Sequence, residues 1–168
     1  MDITHILVHD SASTFGDINL INKWHKRRGF GWPEPRSGIV IPCGYHWVIL
    51  NGSRFSNADY DPHLDGLITP GRPVGEVGAH CKAQGMNRKS IGYCLIGDGD
   101  FSDKQIETLT SRILLDMERF NVPPENVLGH GEVDPGKRDP RINMDALRSE
   151  IGGNKYGRRK QDISKRIN

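Results

Sequence analysis

Three side chains far apart in the sequence carry donor atoms suited to a single metal ion: His9, His130 and Asp139. Two imidazoles and a carboxylate are a common ligand set for catalytic zinc, with a fourth position left for water. Zinc held in this way lowers the pKa of its water towards about 7 and polarises a carbonyl, which is the chemistry of amide or ester hydrolysis. Spacing alone does not single out that reading. A histidine at a strand end is commonly a packed or hydrogen-bonded residue, and the His-Glu-x-x-His pattern of many metalloproteases is absent. No Ser or Cys stands out with a positioned base, which favours direct attack by water over an acyl-enzyme.

These residues need elements to bring them together. His5–His9 reads as a short strand, with His5, Leu7 and His9 on one face and Ile6 and Val8 on the other. A helix is expected from about Asp17 to Arg28, closed by Gly29, with Trp24 and His25 as core residues. Residues 30–43 read as a loop punctuated by Pro33, Pro35 and Pro42. Tyr45–Leu50 is a second strand, and Asn51-Gly52 signals a turn into an antiparallel partner. Ser53–Asp65 reads as an elaborated connection before the short strand Leu67-Ile68. Ser90–Gly97 is a third strand.

The clearest helix follows. Ser102 and Gln105 form a capping box ahead of an apolar stripe of Ile106, Leu109, Ile113, Leu114, Met117 and Phe120, and Pro123-Pro124 stops it. Asn126–Gly129 is a short strand ending at His130, and the charged loop 131–141 carries Asp139. A last helix is expected over Met144–Ile151, stopped by Gly152-Gly153. The pattern predicts one α/β domain over 1–153, a central mixed β-sheet flanked by helices.

Composition narrows the class. The chain has 168 residues, 35% hydrophobic and 26% charged, and lacks any apolar run long enough to span a bilayer. Its first residues lack the basic and apolar regions of a secretory signal, so cytoplasmic synthesis is expected. Cys43, Cys81 and Cys94 are expected to be free thiols, with Cys81 and Cys94 buried. Net charge is +2, but six cations and one carboxylate lie between Lys155 and Asn168, leaving residues 1–154 at −3. The segment 154–168 therefore reads as a basic, mobile tail, either a solubilising end or a salt-sensitive contact for an anionic envelope.

Six ordered blocks make the sequence recognisable. They are Val8-His9-Asp10-Ser11-Ala12-Ser13; Trp24-His25-Lys26 with Gly29-Phe30; and Gly44-Tyr45-His46-Trp47-Val48-Ile49. Gly78-Ala79-His80 comes next, then Asn87 with Ser90–Gly97, then Gly129-His130 and Glu132-Val133 with Lys137 and Asp139. From about His5 to Leu147 the chain resembles the zinc-dependent N-acetylmuramoyl-L-alanine amidases, the family of bacteriophage lysozyme-type amidases and peptidoglycan recognition proteins. The resemblance implies Zn2+ as cofactor, with His9, His130 and Asp139 as its ligands. It implies that Tyr45 assists the water, that Lys137 steadies the oxyanion, and that His80 and Asn87 line the substrate groove. Apart from the resemblance, Tyr45 also reads as a half-buried strand aromatic and Lys137 as a solvated loop cation.

The implied reaction is cleavage of the amide between N-acetylmuramic acid and L-alanine in peptidoglycan. The format resembles a phage endolysin, made in the host cytoplasm and acting on the wall after the inner membrane is breached. Alternatives are a cytoplasmic amidase recycling soluble anhydro-muropeptides and a non-catalytic peptidoglycan-binding protein. Six tail cations offer phosphate contacts, but no base-reading motif accompanies them, so no sequence-specific nucleic-acid partner is expected. A monomer is expected. The stretch between Gly29 and Gly44 and the Ser53–Asp65 insertion are both expected to flank the groove.

Overall fold

The computed structural model describes residues 1–30 and 43–153. Most of the loop read at 30–43 and the basic tail at 154–168 lie outside the described residues.

Strand β1 (His5–Asp10) is short, apolar and central. It pairs in parallel with β4 (Ser90–Leu95) on one side and with β5 (Val127–Gly129) on the other. Strand β2 (Trp47–Asn51) runs parallel to β4 and antiparallel to β3 (Asp65–Pro70), the edge strand. The order is β3-β2-β4-β1-β5, a mixed five-stranded sheet. Every residue of β4 is buried, as expected of an inner parallel strand covered on both faces.

Alternation divides the side chains as expected from the sequence. Ile6, Val8, Ile49, Ile91, Tyr93 and Leu95 point to one face, where they form the main core. Helix α1 (Ile18–Arg27) packs on the other face, and α2 (Asp103–Phe120) covers the main core through Leu109, Ile113 and Met117. Asp17 caps α1, its carboxylate accepting the Leu20 N–H at 3.0 Å. The capping box of α2 forms between Ser102 and Gln105. The Gln105 amide also donates to the carbonyls of Ile49 and Ile96, at 3.3 and 2.9 Å, pinning the helix start to the sheet.

The opposite face is only partly covered. At one side α1 closes Ile21, Val48, Leu50, Cys94 and Ile96 into a second cluster. At the other, Leu7 packs with Cys81, Met86 and Val133 beneath the 3-10 segment Ala83–Arg88. Between these clusters the sheet face stays open, and His9 is the β1 residue that points into the gap. All three cysteines are buried free thiols.

Several boundaries differ from the sequence reading. Strand β2 begins at Trp47, so Tyr45 precedes the strand. Strand β5 starts at Val127, one residue later than read, and His130 opens a four-residue helical turn, α3 (His130–Val133). The last helix runs over 144–153 and includes Gly152 and Gly153. Ile151 is fully buried in the main core there, and such packing overrides the weak helix propensity of glycine. The 3-10 segment had no sequence signal; its Gln84 and Gly85 both have positive φ.

The antiparallel β2–β3 pair forms, but not through a tight turn. Gly52 takes φ +84°, and Tyr60 folds back so closely that a Cβ on Gly52 would meet its ring at 2.5 Å. The insertion then ties to the start of α2, with Lys104 Nζ donating to the Pro62 carbonyl (2.9 Å) and Ser102 Oγ to Asp65 (2.6 Å).

Candidate active site

Register explains how distant residues meet. Val8 pairs with Gly129, so the next residues, His9 and His130, emerge side by side at the carboxyl ends of adjacent parallel strands. Their ring centroids are 4.4 Å apart. Crevices at this end of parallel strands are the usual ligand sites of α/β sheets. The Glu132 carboxylate accepts the Gly129 N–H at 2.6 Å and is gripped by Arg148, which fixes the junction that aims His130. The Gly131 N–H donates to the Asp139 carbonyl at 2.8 Å, folding the 131–141 loop back over the strand end.

Asp139 thereby reaches both imidazoles. Its Oδ2 lies 3.0 Å from His9 Nδ1 and 3.0 Å from His130 Nδ1. One donor atom from each of the three residues falls within 4.8 Å of the other two. Two nitrogens and a carboxylate oxygen suit zinc, whose ligands at about 2 Å in tetrahedral geometry stand about 3.3 Å from each other. The residues fit the ion. Among the described residues no other group of His, Cys, Asp and Glu gathers in this way. His63 is exposed, and its backbone N–H donates to Asp61 (2.9 Å).

The ionisation states follow from burial. His9 is fully buried, and this pushes its pKa down to about 4 despite the hydrogen bond to Asp139. Burial alone would raise Asp139, but hydrogen bonds from His130 and His9 outweigh it and hold the carboxyl well below its ordinary range. A neutral imidazole and an ionised carboxylate are the forms that ligate a metal.

A cleft of about 780 Å³ opens over this cluster, bordered by Asp10, His25, Tyr45, His80, Lys137 and Arg141 among others. The Tyr45 ring lies 5.1 Å from the His9 ring, and burial raises its phenol well above 10, so it stays protonated. Lys137 is exposed on the cleft wall. Asp10 latches the loop behind Asp139 by accepting the Arg141 N–H at 3.2 Å, and Arg141 pairs with Asp98.

The two expected groove residues, His80 and Asn87, both border the cleft and have further partners. His80 borders the cleft but is 9% exposed, with Nδ1 3.0 Å from His9 Nε2. The Asn87 Oδ1 accepts the N–H groups of His80 and Cys81, both at 2.8 Å, and so clamps the loop that carries His80. None of residues 53–65 borders the cleft; the insertion folds back on Gly52 and ties to α2 instead.

Sequence reasoning missed three supporting residues. His25 Nδ1 accepts the Gly44 N–H (2.8 Å) and its ring sits 5.1 Å from that of Tyr45, holding the tyrosine in place. His46 Nδ1 accepts the Gly92 N–H (2.9 Å), which leaves its proton on Nε2 for the Glu76 carbonyl (3.1 Å). The Arg72 guanidinium binds the carbonyls of Cys43 and Phe30, both at 3.0 Å, joining the segments beside the cleft. The available signal was that histidine is otherwise sparse: five of the chain's seven, His9, His25, His46, His80 and His130, converge here.

A family model described as N-acetylmuramoyl-L-alanine amidase matches residues 1–142. The chain belongs to the N-acetylmuramoyl-L-alanine amidase family. The endolysin of Escherichia phage T7 is 28% identical, over 68% of this chain and 67% of its own length. The endolysin of Enterobacteria phage K11 is 26% identical over 80% and 78%. In fold, the amidase resembles the N-acetylmuramoyl-L-alanine amidase LysC from Clostridium intestinale URNW. That match has a TM-score of 0.65 and 23% identity, covering 90% of this chain and 86% of the other. The mixed sheet with flanking helices is thus the amidase and peptidoglycan-recognition architecture, and the enzyme is a peptidoglycan amidase. No helix among the described residues is long and apolar enough to cross a membrane.

Proposed function

We propose that the amidase is a zinc-dependent endolysin that holds its metal with His9, His130 and Asp139. One observation above all supports this reading: the three donor groups converge beneath an open cleft in a chain of the amidase family. The bond cut is the amide between the lactyl group of N-acetylmuramic acid and L-alanine. The phage endolysins among its relatives favour host lysis as the role, with synthesis in the host cytoplasm and action on the wall once the inner membrane is breached.

Zinc in such a site lowers the pKa of water and polarises a carbonyl. Asp139 and the imidazoles of His9 and His130 would supply its donors. The protonated phenol of Tyr45, beside His9, orients the attacking water. The Lys137 ammonium, on the cleft wall, offsets negative charge growing on the carbonyl oxygen as water adds. The amine of L-alanine takes up a proton given up by the added water and leaves. Residues 1–153 form the catalytic domain in this reading, and the basic segment 154–168 favours anionic envelope surfaces.

Purified Gram-negative peptidoglycan, digested with and without EDTA and analysed by mass spectrometry, tests the proposal. Free stem peptides beginning at L-alanine, formed only without EDTA, are expected. Intact wall in both samples, with soluble anhydro-muropeptides cleaved, would replace the endolysin role with fragment recycling. Equal cleavage in EDTA would overturn the role of zinc.

A further inference from the structure

Behind His9, on the side away from Asp139, lies a second imidazole. His80 Nδ1 is 3.0 Å from His9 Nε2, and the two rings meet edge to face at 82°. The fold is shaped around this ring. A Cβ on Gly92 would meet His80 Cδ2 at 2.6 Å and Cγ at 2.7 Å, and one on Gly78 would meet Cδ2 at 2.5 Å. Two side chains are thus omitted where the imidazole sits, and Asn87 fixes its backbone from the other side. The remaining ring nitrogen, His80 Nε2, is buried and closes no hydrogen bond.

Counting protons gives this pair a meaning. A neutral imidazole carries one N–H, and His9 has a polar neighbour at each nitrogen. If His9 ligates through Nδ1, that atom carries no proton, and the ring's single proton must be on Nε2. His80 Nδ1 is then the acceptor, and His80 carries its own proton on Nε2. Without metal, the alternative arrangement suits the contacts better: His80 Nδ1–H donates to His9 Nε2, and His9 Nδ1–H donates to Asp139. Each arrangement satisfies both contacts of His9 with neutral rings, and metal binding selects between them. Ligating histidines generally donate their other N–H to a fixed acceptor, which sets the tautomer and the ring orientation.

We propose that His80 is a positioning residue, and that its Nδ1 accepts the His9 Nε2–H and so presents His9 Nδ1 to the metal. This rests on the zinc reading of the site. A neutral imidazole in this place orients His9 without adding a second negative charge to a centre that already contains Asp139.

The test compares zinc affinity, by competition with a chromophoric chelator, for the full chain and two variants. His80→Phe keeps a ring but removes the acceptor, and zinc binding is expected to weaken about 10- to 100-fold. His80→Asn places an amide oxygen near the lost Nδ1, and affinity is expected to return to within about fivefold of the wild type. Long-range 1H–15N spectra of the wild type with zinc supply a second readout, independent of variant folding. The His9 proton is expected on Nε2 in the zinc-loaded protein and on Nδ1 in the metal-free protein. Wild-type affinity in His80→Phe, or a zinc-loaded His9 protonated on Nδ1, would overturn the inference while leaving the ligand set intact. Failure of the wild type to bind zinc would instead overturn the ligand set itself.

Discussion

Mild acid is expected to unfold the metal-free amidase well before its carboxylates protonate. Burial pushes the pKa values of His9, His25 and His46 from 6.5 down to about 4. The folded values lie below the unfolded ones, so the unfolded chain binds more protons between about pH 6.5 and 4. Stability therefore falls as pH falls through that window and is unaffected above it. Each histidine contributes up to about 1.4 kcal/mol per pH unit, so these three alone give a limiting slope of about 4 kcal/mol per unit, and His80, which burial also pushes well below 6.5, adds to it. Two units of acidification then remove about 8 kcal/mol, comparable to the whole stability of an ordinary domain. Asp139 does not offset this, because its carboxyl is held low and its contribution is lost only below the window. Asp10, raised by burial, works against the loss near the acid end. Urea denaturation in chelator at pH 7.5, 6.5, 5.5 and 4.5, followed by circular dichroism, measures the slope. An uptake of one to four protons on unfolding is expected, and His46→Gln should reduce it by about one. A free energy constant between pH 7 and 5 would refute the buried neutral histidines.

Three substitutions separate site from scaffold. Gly92→Ala brings a methyl within 2.6 Å of the His80 ring and should displace that ring from His9, lowering zinc affinity about tenfold in chelator competition while the protein stays folded. Lys137→Ala should lower kcat by about 10²–10³ without a comparable change in Tm, since the ammonium is exposed and acts on charge formed during reaction. Ser102→Ala removes the α2 cap and should cost about 1 kcal/mol in urea denaturation, with kcat unchanged.

The elements that carry the site were legible where local chemistry settles them. The β1 alternation places Ile6 and Val8 in the core and His9 opposite, and Ser102 with Gln105 starts α2 as its capping box requires. The meeting of His9, His130 and Asp139 was legible only through resemblance to a family, because it depends on the Val8–Gly129 register and on the Gly131–Asp139 hydrogen bond. Neither has a local signature. The role of His80 was hidden for a related reason. What marks it is the missing Cβ of Gly92, twelve residues along on β4, and the approach of a loop to a strand is not written in one-dimensional spacing. Gly152 and Gly153 misled in the opposite direction: read as a stop, they continue a helix whose Ile151 is buried in the core. The insertion at 53–65 looked like a groove wall by its place in the sequence, but its contacts with α2 draw it to the sheet edge.

Return of activity as zinc is added back to the metal-free enzyme tests the central claim most directly. Release of L-alanine-terminated stem peptide from peptidoglycan should rise linearly and level off at one zinc per chain, and Asp139→Ala should show no such break. Full activity before any zinc is added, or an unchanged break in Asp139→Ala, would contradict a metal centre built from His9, His130 and Asp139.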